Sequence, residues 1–269
     1  MKTILFSLFT AILWTCQSTA QTPDPIPTHE SFTIDSKEVG EKRTMNVWLP
    51  EDYATSDLSY PVLYMPDGGI QEDFPHIANT LSELIKAKKI PPYILVGIEN
   101  TQRRKDLSPP TQVEKDKEIA PVVGGSAEFR AFVQNELIPY VNSNYRTTTK
   151  KGIIGESLAG LFVVETLMIQ PELFDFYIAF DPSLWWNNQY LVKNTNEHLA
   201  KFPSEKKKFW FAGSNAKDIY KSTRKLSETL KENAPETLIW TYSDEPKEKH
   251  NTIFRATKEK ALIWTLSAK

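Results

Sequence analysis

The sequence predicts a single α/β domain with a mostly parallel sheet of about eight strands, opened by an antiparallel hairpin and covered by helices on both faces. Three observations carry this prediction. Short apolar runs such as Tyr60-Pro-Val-Leu-Tyr-Met65 and Tyr93-Ile-Leu-Val-Gly-Ile98 lack the polar alternation of a half-exposed strand and read as strands buried on both faces. Helical stretches separate such runs along the chain, as parallel pairing requires. The composition suffices for one sizeable core, since 40% of the 269 residues are hydrophobic and 12% aromatic, and neither an internal repeat nor an interdomain linker interrupts it.

The elements follow in order. Residues 1–20 read as a signal peptide: Lys2 is followed by an apolar run to Trp14, too short for a comfortable membrane span, and Ser18 and Ala20 supply small residues for cleavage before Gln21. Export to the periplasm or the cell exterior is the expectation, and acylation of Cys16, the one cysteine, is the less favoured route because Trp14 and Thr15 make a poor lipobox. Residues 21–30 form a Pro-rich extension, and 31–269 the folded domain. Ser31 to Ser36 and Arg43 to Leu49 are the hairpin strands. A helix around Ile77 to Lys88 joins the two apolar strands above. After the irregular segment Arg103 to Gly125 come a helix from Ser126 to about Asn142, a strand ending at Gly155, and strands at Phe176–Phe180 and Phe209–Ala212. A helix from Lys217 to Lys231, a strand at Leu238–Tyr242 and a last helix from Thr252 complete the domain.

The chemistry gathers at Lys151-Gly-Ile-Ile-Gly-Glu-Ser-Leu-Ala-Gly160, a short strand running through a serine into an apolar helix. A strand that turns straight into a helix and exposes one side chain at the turn needs small neighbours. Gly155, Ala159 and Gly160 provide them around Ser157. A serine hydroxyl is a weak nucleophile at neutral pH and needs a base. Of the four histidines, His29, His76 and His198 read as surface or capping residues, whereas His250 follows the last strand, where the Ser, acid, His order of α/β-hydrolases places the base. Asp218, in the loop or first helical turn after the strand at Phe209, is the preferred acid, with a helix N-cap as its other reading. Asp181, Asp244, Glu245 and Glu248 are also candidates for the acid, and a Ser/His dyad would need none of them. For the oxyanion the sequence offers the amide of Leu158 and the glycine backbone at Gly68 and Gly69.

Together these segments resemble the esterase D-like group of α/β-hydrolases, which includes enterochelin-esterase-like proteins. The resemblance runs from about Thr44 to the C-terminus. It rests on Tyr60-Pro-Val-Leu-Tyr-Met-Pro-Asp-Gly68, Val96-Gly-Ile-Glu-Asn-Thr-Gln-Arg103 with Asp106-Leu-Ser-Pro109, Phe132-Val-Gln-Asn-Glu-Leu-Ile-Pro-Tyr-Val141 with Asn144-Tyr-Arg146, the serine turn, and Pro182-Ser-Leu-Trp-Trp186. It implies an α/β-hydrolase fold and carboxylic ester hydrolysis without metal or other cofactor, with Ser157 as nucleophile and His250 as base. The chain departs from the family at Glu156, where histidine is frequent, and at Asp181, where serine is usual. The loop after Gly213 offers no confident acid. Trp185 and Trp186 are candidates for stacking on a cyclic substrate, as a catecholate-siderophore esterase would use them.

The expected function is therefore a secreted serine esterase acting through an acyl-enzyme on a small-molecule ester, a siderophore or an acylated saccharide. A non-catalytic binding protein on the same shell, and a peptidase or acyltransferase with the same machinery, stay open at this point. A net charge of −2 gives no polyanion-binding signature, and the runs Arg103-Arg-Lys105 and Lys206-Lys-Lys208 read as solvated turns rather than a nucleic-acid patch.

Overall fold

The computed structural model describes residues 23–267, so the predicted signal peptide and Cys16 lie outside the described residues. Eight strands form one sheet: β1 (Glu30–Asp35), β2 (Lys42–Trp48), β3 (Tyr60–Pro66), β4 (Ile94–Ile98), β5 (Thr147–Glu156), β6 (Phe176–Phe180), β7 (Lys207–Gly213) and β8 (Leu238–Asp244). Their spatial order is β1-β2-β4-β3-β5-β6-β7-β8. The β1–β2 and β2–β4 pairs are antiparallel and every later pair is parallel, the arrangement that the apolar runs predicted.

Successive side chains of each strand point to opposite faces, and two cores result. Val62, Tyr64, Ile153, Tyr177, Phe209 and Phe211 belong to one. Their sequence neighbours Leu63, Met65, Ile154, Ile178 and Trp210 belong to the other. Helix α1 (Phe74–Lys86) brings Ile77 and Leu81 to the second core, together with Phe254 and Leu262 of the C-terminal helix Ile253–Leu266.

The irregular segment after β4 holds two short helices, α2 (Arg103–Asp106) and α3 (Glu114–Ile119). It is tied to the sheet by a buried ion pair, Arg43 Nη2 to Asp106 Oδ2 at 2.6 Å. The expected helix from Ser126 is α4 (Ser126–Phe132) and α5 (Ile138–Asn144) joined by a π-helical turn. Pro139 has no N–H to return to the preceding turn, and Ile138 donates instead to the Val133 carbonyl, five residues back.

Helix α6 (Leu158–Ile169) is buried from Leu158 through Met168, as an all-round apolar sequence requires. Beyond β6 come α7 (Trp186–Lys193) and α8 (Thr195–Leu199). Helix α9 (Lys217–Asn233) follows β7, and the C-terminal helix is α10.

Three surface readings are corrected. Arg103 is engaged in a two-pronged ion pair with Asp67. Lys207 is buried in β7. His76 is buried against Phe254 and bonded to Asp73, and burial lowers its pKa.

Candidate active site

In a parallel sheet the loops at the carboxyl ends of the strands lie side by side, and ligand sites form there. Ser157 stands at the end of β5 as the residue before α6, with φ 59° and ψ −117°. A non-glycine residue holds positive φ only where its surroundings impose it. Here its amide donates to the Phe180 carbonyl at 3.0 Å, and its own carbonyl accepts from Leu161 and Ser183. The small neighbours are necessary. A Cβ on Gly155 would lie 2.7 Å from the carbonyl carbon of Ala159, and one on Gly160 3.0 Å from the Phe180 oxygen.

His250 arrives from the loop after β8. Its Nε2 is 3.1 Å from Ser157 Oγ and its Nδ1 is 2.9 Å from Asp181 Oδ2. An ionised carboxylate only accepts, so the Nδ1 side carries the proton and Nε2 is left to accept from the serine hydroxyl. Asp181 follows the last residue of β6 with φ 43° and is fully buried. Besides His250 it accepts from the Ser214 amide and hydroxyl, both at 2.6 Å. The hydrogen bond to Asp181 raises the pKa of His250 above its ordinary 6.5, against the opposing effect of burial.

The preference for Asp218 is thereby corrected. Past Gly213 the chain spends its inward-facing position on Ser214, and Asp218 comes four residues later, exposed in the first turn of α9. The carboxylates that precede His250 in its own loop are engaged elsewhere. Asp244 pairs with Arg224, Glu245 accepts from Ser243 and Lys260, and Glu248 accepts from Thr252.

The glycine loop after β3 also differs from expectation. The Gly68 amide donates to the Ile98 carbonyl at 2.9 Å, and the Gly69 amide donates to Glu72 Oε2 at 2.7 Å, so neither is free for an oxyanion. Glycine is needed at position 68 for close approach, because a Cβ there would meet the Gly97 Cα at 2.3 Å. Leu158, by contrast, opens α6, where an amide has no intrahelical acceptor and the helix dipole favours negative charge.

The two tryptophans separate. Trp186 is buried and donates to the Pro109 carbonyl at 2.9 Å, so it packs the core and offers no face for stacking. Trp185 is half-buried.

Sequence reasoning assigned no role to Ser183, although it lies in the run Pro182–Trp186 and its hydroxyl is 3.4 Å from Ser157 Oγ, and it missed Ser214, which no local pattern marks. Beside the nucleophile, Glu156 is half-buried. Burial first, and then the charge of Asp73, push its pKa up to about 8. Among the described residues no cluster of His, Cys, Asp and Glu is arranged to hold a metal ion, and no helix is long and apolar enough to cross a membrane.

Comparison with known proteins shows what the chain is similar to. The chain is 28% identical over 200 residues to the ferri-bacillibactin esterase BesA of Bacillus subtilis, covering 64% of this chain and 67% of that protein. It is 29% identical over 207 residues to the siderophore triacetylfusarinine C esterase of Aspergillus fumigatus, covering 70% of this chain and 65% of the relative. The crystal structure of an IroE-like serine hydrolase from Shewanella oneidensis superposes with a TM-score of 0.81 at 27% identity, over 88% of this chain and 79% of that one. The family model Esterase matches residues 36–261, most of the chain. The protein belongs to this esterase family, of the α/β-hydrolase type.

Proposed function

We propose that this protein is an exported serine esterase that cleaves small-molecule esters of the siderophore kind through an acyl-enzyme. The single observation that carries the catalytic reading is the unbroken hydrogen-bonded chain Ser157–His250–Asp181 at a strained strand-to-helix turn. In the proposed reaction Ser157 Oγ attacks the ester carbonyl while His250 Nε2 takes its proton. The oxyanion meets the Leu158 amide at the positive end of α6. Collapse expels the alcohol, which receives the proton from His250, and leaves an acyl-serine. Water, deprotonated by the same imidazole, then releases the acid. Asp181 holds the ring in the required tautomer throughout and balances the imidazolium.

The substrate class is supported by the two curated relatives, each named as an esterase of a siderophore or its iron complex. The complete hydrogen-bonded chain favours catalysis over a binding role. Export rests on the pattern of residues 1–20; mass analysis of the protein recovered from its host should give a mature chain starting near Gln21. A lipid-modified Cys16 would replace that reading with a membrane anchor.

The catalytic test is a panel of aryl esters, acylated sugars and a catecholate trilactone. Ser157→Ala and His250→Ala should each lose several orders of magnitude in kcat/KM with unchanged circular dichroism. Near-normal turnover by either variant would refute the assignment.

A further inference from the structure

We propose that the cleft beside Trp185 is a recognition site for a negatively charged, ring-bearing portion of the ester. This rests on the esterase reading above and assigns the specificity of that site. The cleft measures about 540 Å³, and its walls include Trp185, Lys115, Lys217, Lys221 and Asp218.

Its position follows from the two segments that touch the catalytic residues. Trp185 lies two residues beyond Ser183, whose amide donates to the Ser157 carbonyl at 3.0 Å. Lys217 lies three residues beyond Ser214, which holds Asp181. An extended chain covers at most about 3.6 Å per residue, so both walls begin within about 11 Å of those contacts. A substrate of siderophore size is long enough to span that distance from an ester held at Ser157.

The lining sorts ligands by charge. The three lysines come from two separate helices, α3 and α9, and none has a carboxylate partner among the described residues. Of the two carboxylates in the walls, Asp116 is buried and already accepts from Thr111 Oγ1 at 2.7 Å and the Asn187 amide at 2.8 Å. Asp218 alone remains exposed against three ammonium groups. An anionic group is therefore attracted to the lysine side.

The wall is also held rigid. Asn187, Asn188 and Gln189 occupy the left-handed region in succession, with φ of 47°, 53° and 62°, a conformation that side-chain-bearing residues rarely adopt even singly. The Asn187 amide bonds to Asp116, and its side-chain oxygen accepts from Gln112 and Thr111. Trp185 has the anchored ring of Trp186 behind it at 5.7 Å. A half-buried indole backed in this way, with cations around it, suits a flat anionic ring.

The test uses a pair of esters with one leaving group, differing only in a neutral or a carboxylated aryl acyl portion. The wild type should prefer the anionic member, and added salt should narrow the preference. In the triple variant Lys115→Gln, Lys217→Gln, Lys221→Gln the anionic-over-neutral ratio of kcat/KM should fall about ten-fold or more, mainly through KM. A second readout needs no turnover: dihydroxybenzoate titrated into Ser157→Ala should quench tryptophan fluorescence. That quench should weaken with the three lysine changes and vanish with Trp185→Phe. A wild type indifferent to charge, or a triple variant that keeps the preference and the quench, overturns the proposal. Absence of hydrolysis of every ester would instead overturn the esterase reading, and the quench would still decide the cleft.

Discussion

Asp181 receives three hydrogen bonds, two from Ser214 and one from His250, and they fix its aim. In Asp181→Asn either flip of the amide turns its NH2 onto one of those donors, and the imidazole loses the group that selects its tautomer. The expected loss is roughly 10^2- to 10^4-fold in kcat, whereas Asp218→Asn should leave hydrolysis of neutral aryl esters within about two-fold, since it touches neither His250 nor Ser157. Equal losses in both variants would refute the placement of the acid. Glu156, where it is ionised, adds through its charge to the raised pKa of His250. As a base His250 must be neutral, so activity falls as pH drops through that raised value. Below about 8 folded Glu156 keeps its proton, so Glu156→Gln exchanges one neutral side chain for another there, and the acid limb of the kcat/KM profile should stay in place. Stability should change instead. The folded pKa of Glu156 is raised from 4.5 to about 8, so between those values the unfolded chain releases a proton that the folded chain keeps. Rising pH therefore favours unfolding, and the effect is complete above about 8. The Tm advantage of Glu156→Gln should be small at pH 5 and largest at pH 9; a gap that does not grow with pH would contradict the raised pKa.

The β5–α6 turn can be read from sequence because its demands are local: a strand, a helix, and too little space between them for side chains. Gly155→Ala would press a methyl onto the backbone of Ala159, at a cost of about 1–3 kcal/mol and with displacement of Ser157. Urea unfolding should report the loss and kcat should fall with it, while Ala159→Gly, which only opens space, should cost about 1 kcal/mol or less and keep turnover. Wild-type stability in Gly155→Ala would mean that the turn is not so tightly packed. The partners of the serine follow a different rule. His250 could be placed because the last loop of the alternating pattern is short and holds one histidine. The acid could not, because His250 is reached equally by the loops after β6, β7 and β8, and which carboxylate meets it depends on the inward position falling at Asp181 in one loop and at Ser214 in the next. Trp185 and Trp186 were indistinguishable for the same reason: adjacent residues in a turn can face opposite ways, and only the Pro109 carbonyl decides that Trp186 turns inward.

At the scale of the whole molecule, the parallel strands deliver the site residues to one edge of the sheet, and the face behind that edge is closed by α1 and α10, which the sheet does not connect directly. The N-terminal segment bridges them. Asp24 accepts two hydrogen bonds from Arg255 of α10, at 2.5 and 3.1 Å, Asn79 of α1 donates to the Pro25 carbonyl at 2.8 Å, and His29 packs edge-on against Phe74. What reads in sequence as a Pro-rich extension is in the structure a clasp across two helices, and its prolines limit the entropy that the unfolded segment gains. The Asp24–Arg255 pair is partly exposed and so contributes modestly despite its two-pronged geometry. Arg255→Ala should lower stability by about 0.5–1 kcal/mol, and removal of residues 23–29 should lower it further, since the amide and ring contacts go as well. Neither change touches Ser157, His250 or Asp181. The measurement is thermal unfolding alongside turnover of a neutral aryl ester. A lower Tm with kcat within about two-fold of the wild type is expected; loss of turnover at a temperature where the shortened chain is still folded would show that the segment shapes the active site instead of clasping the helices.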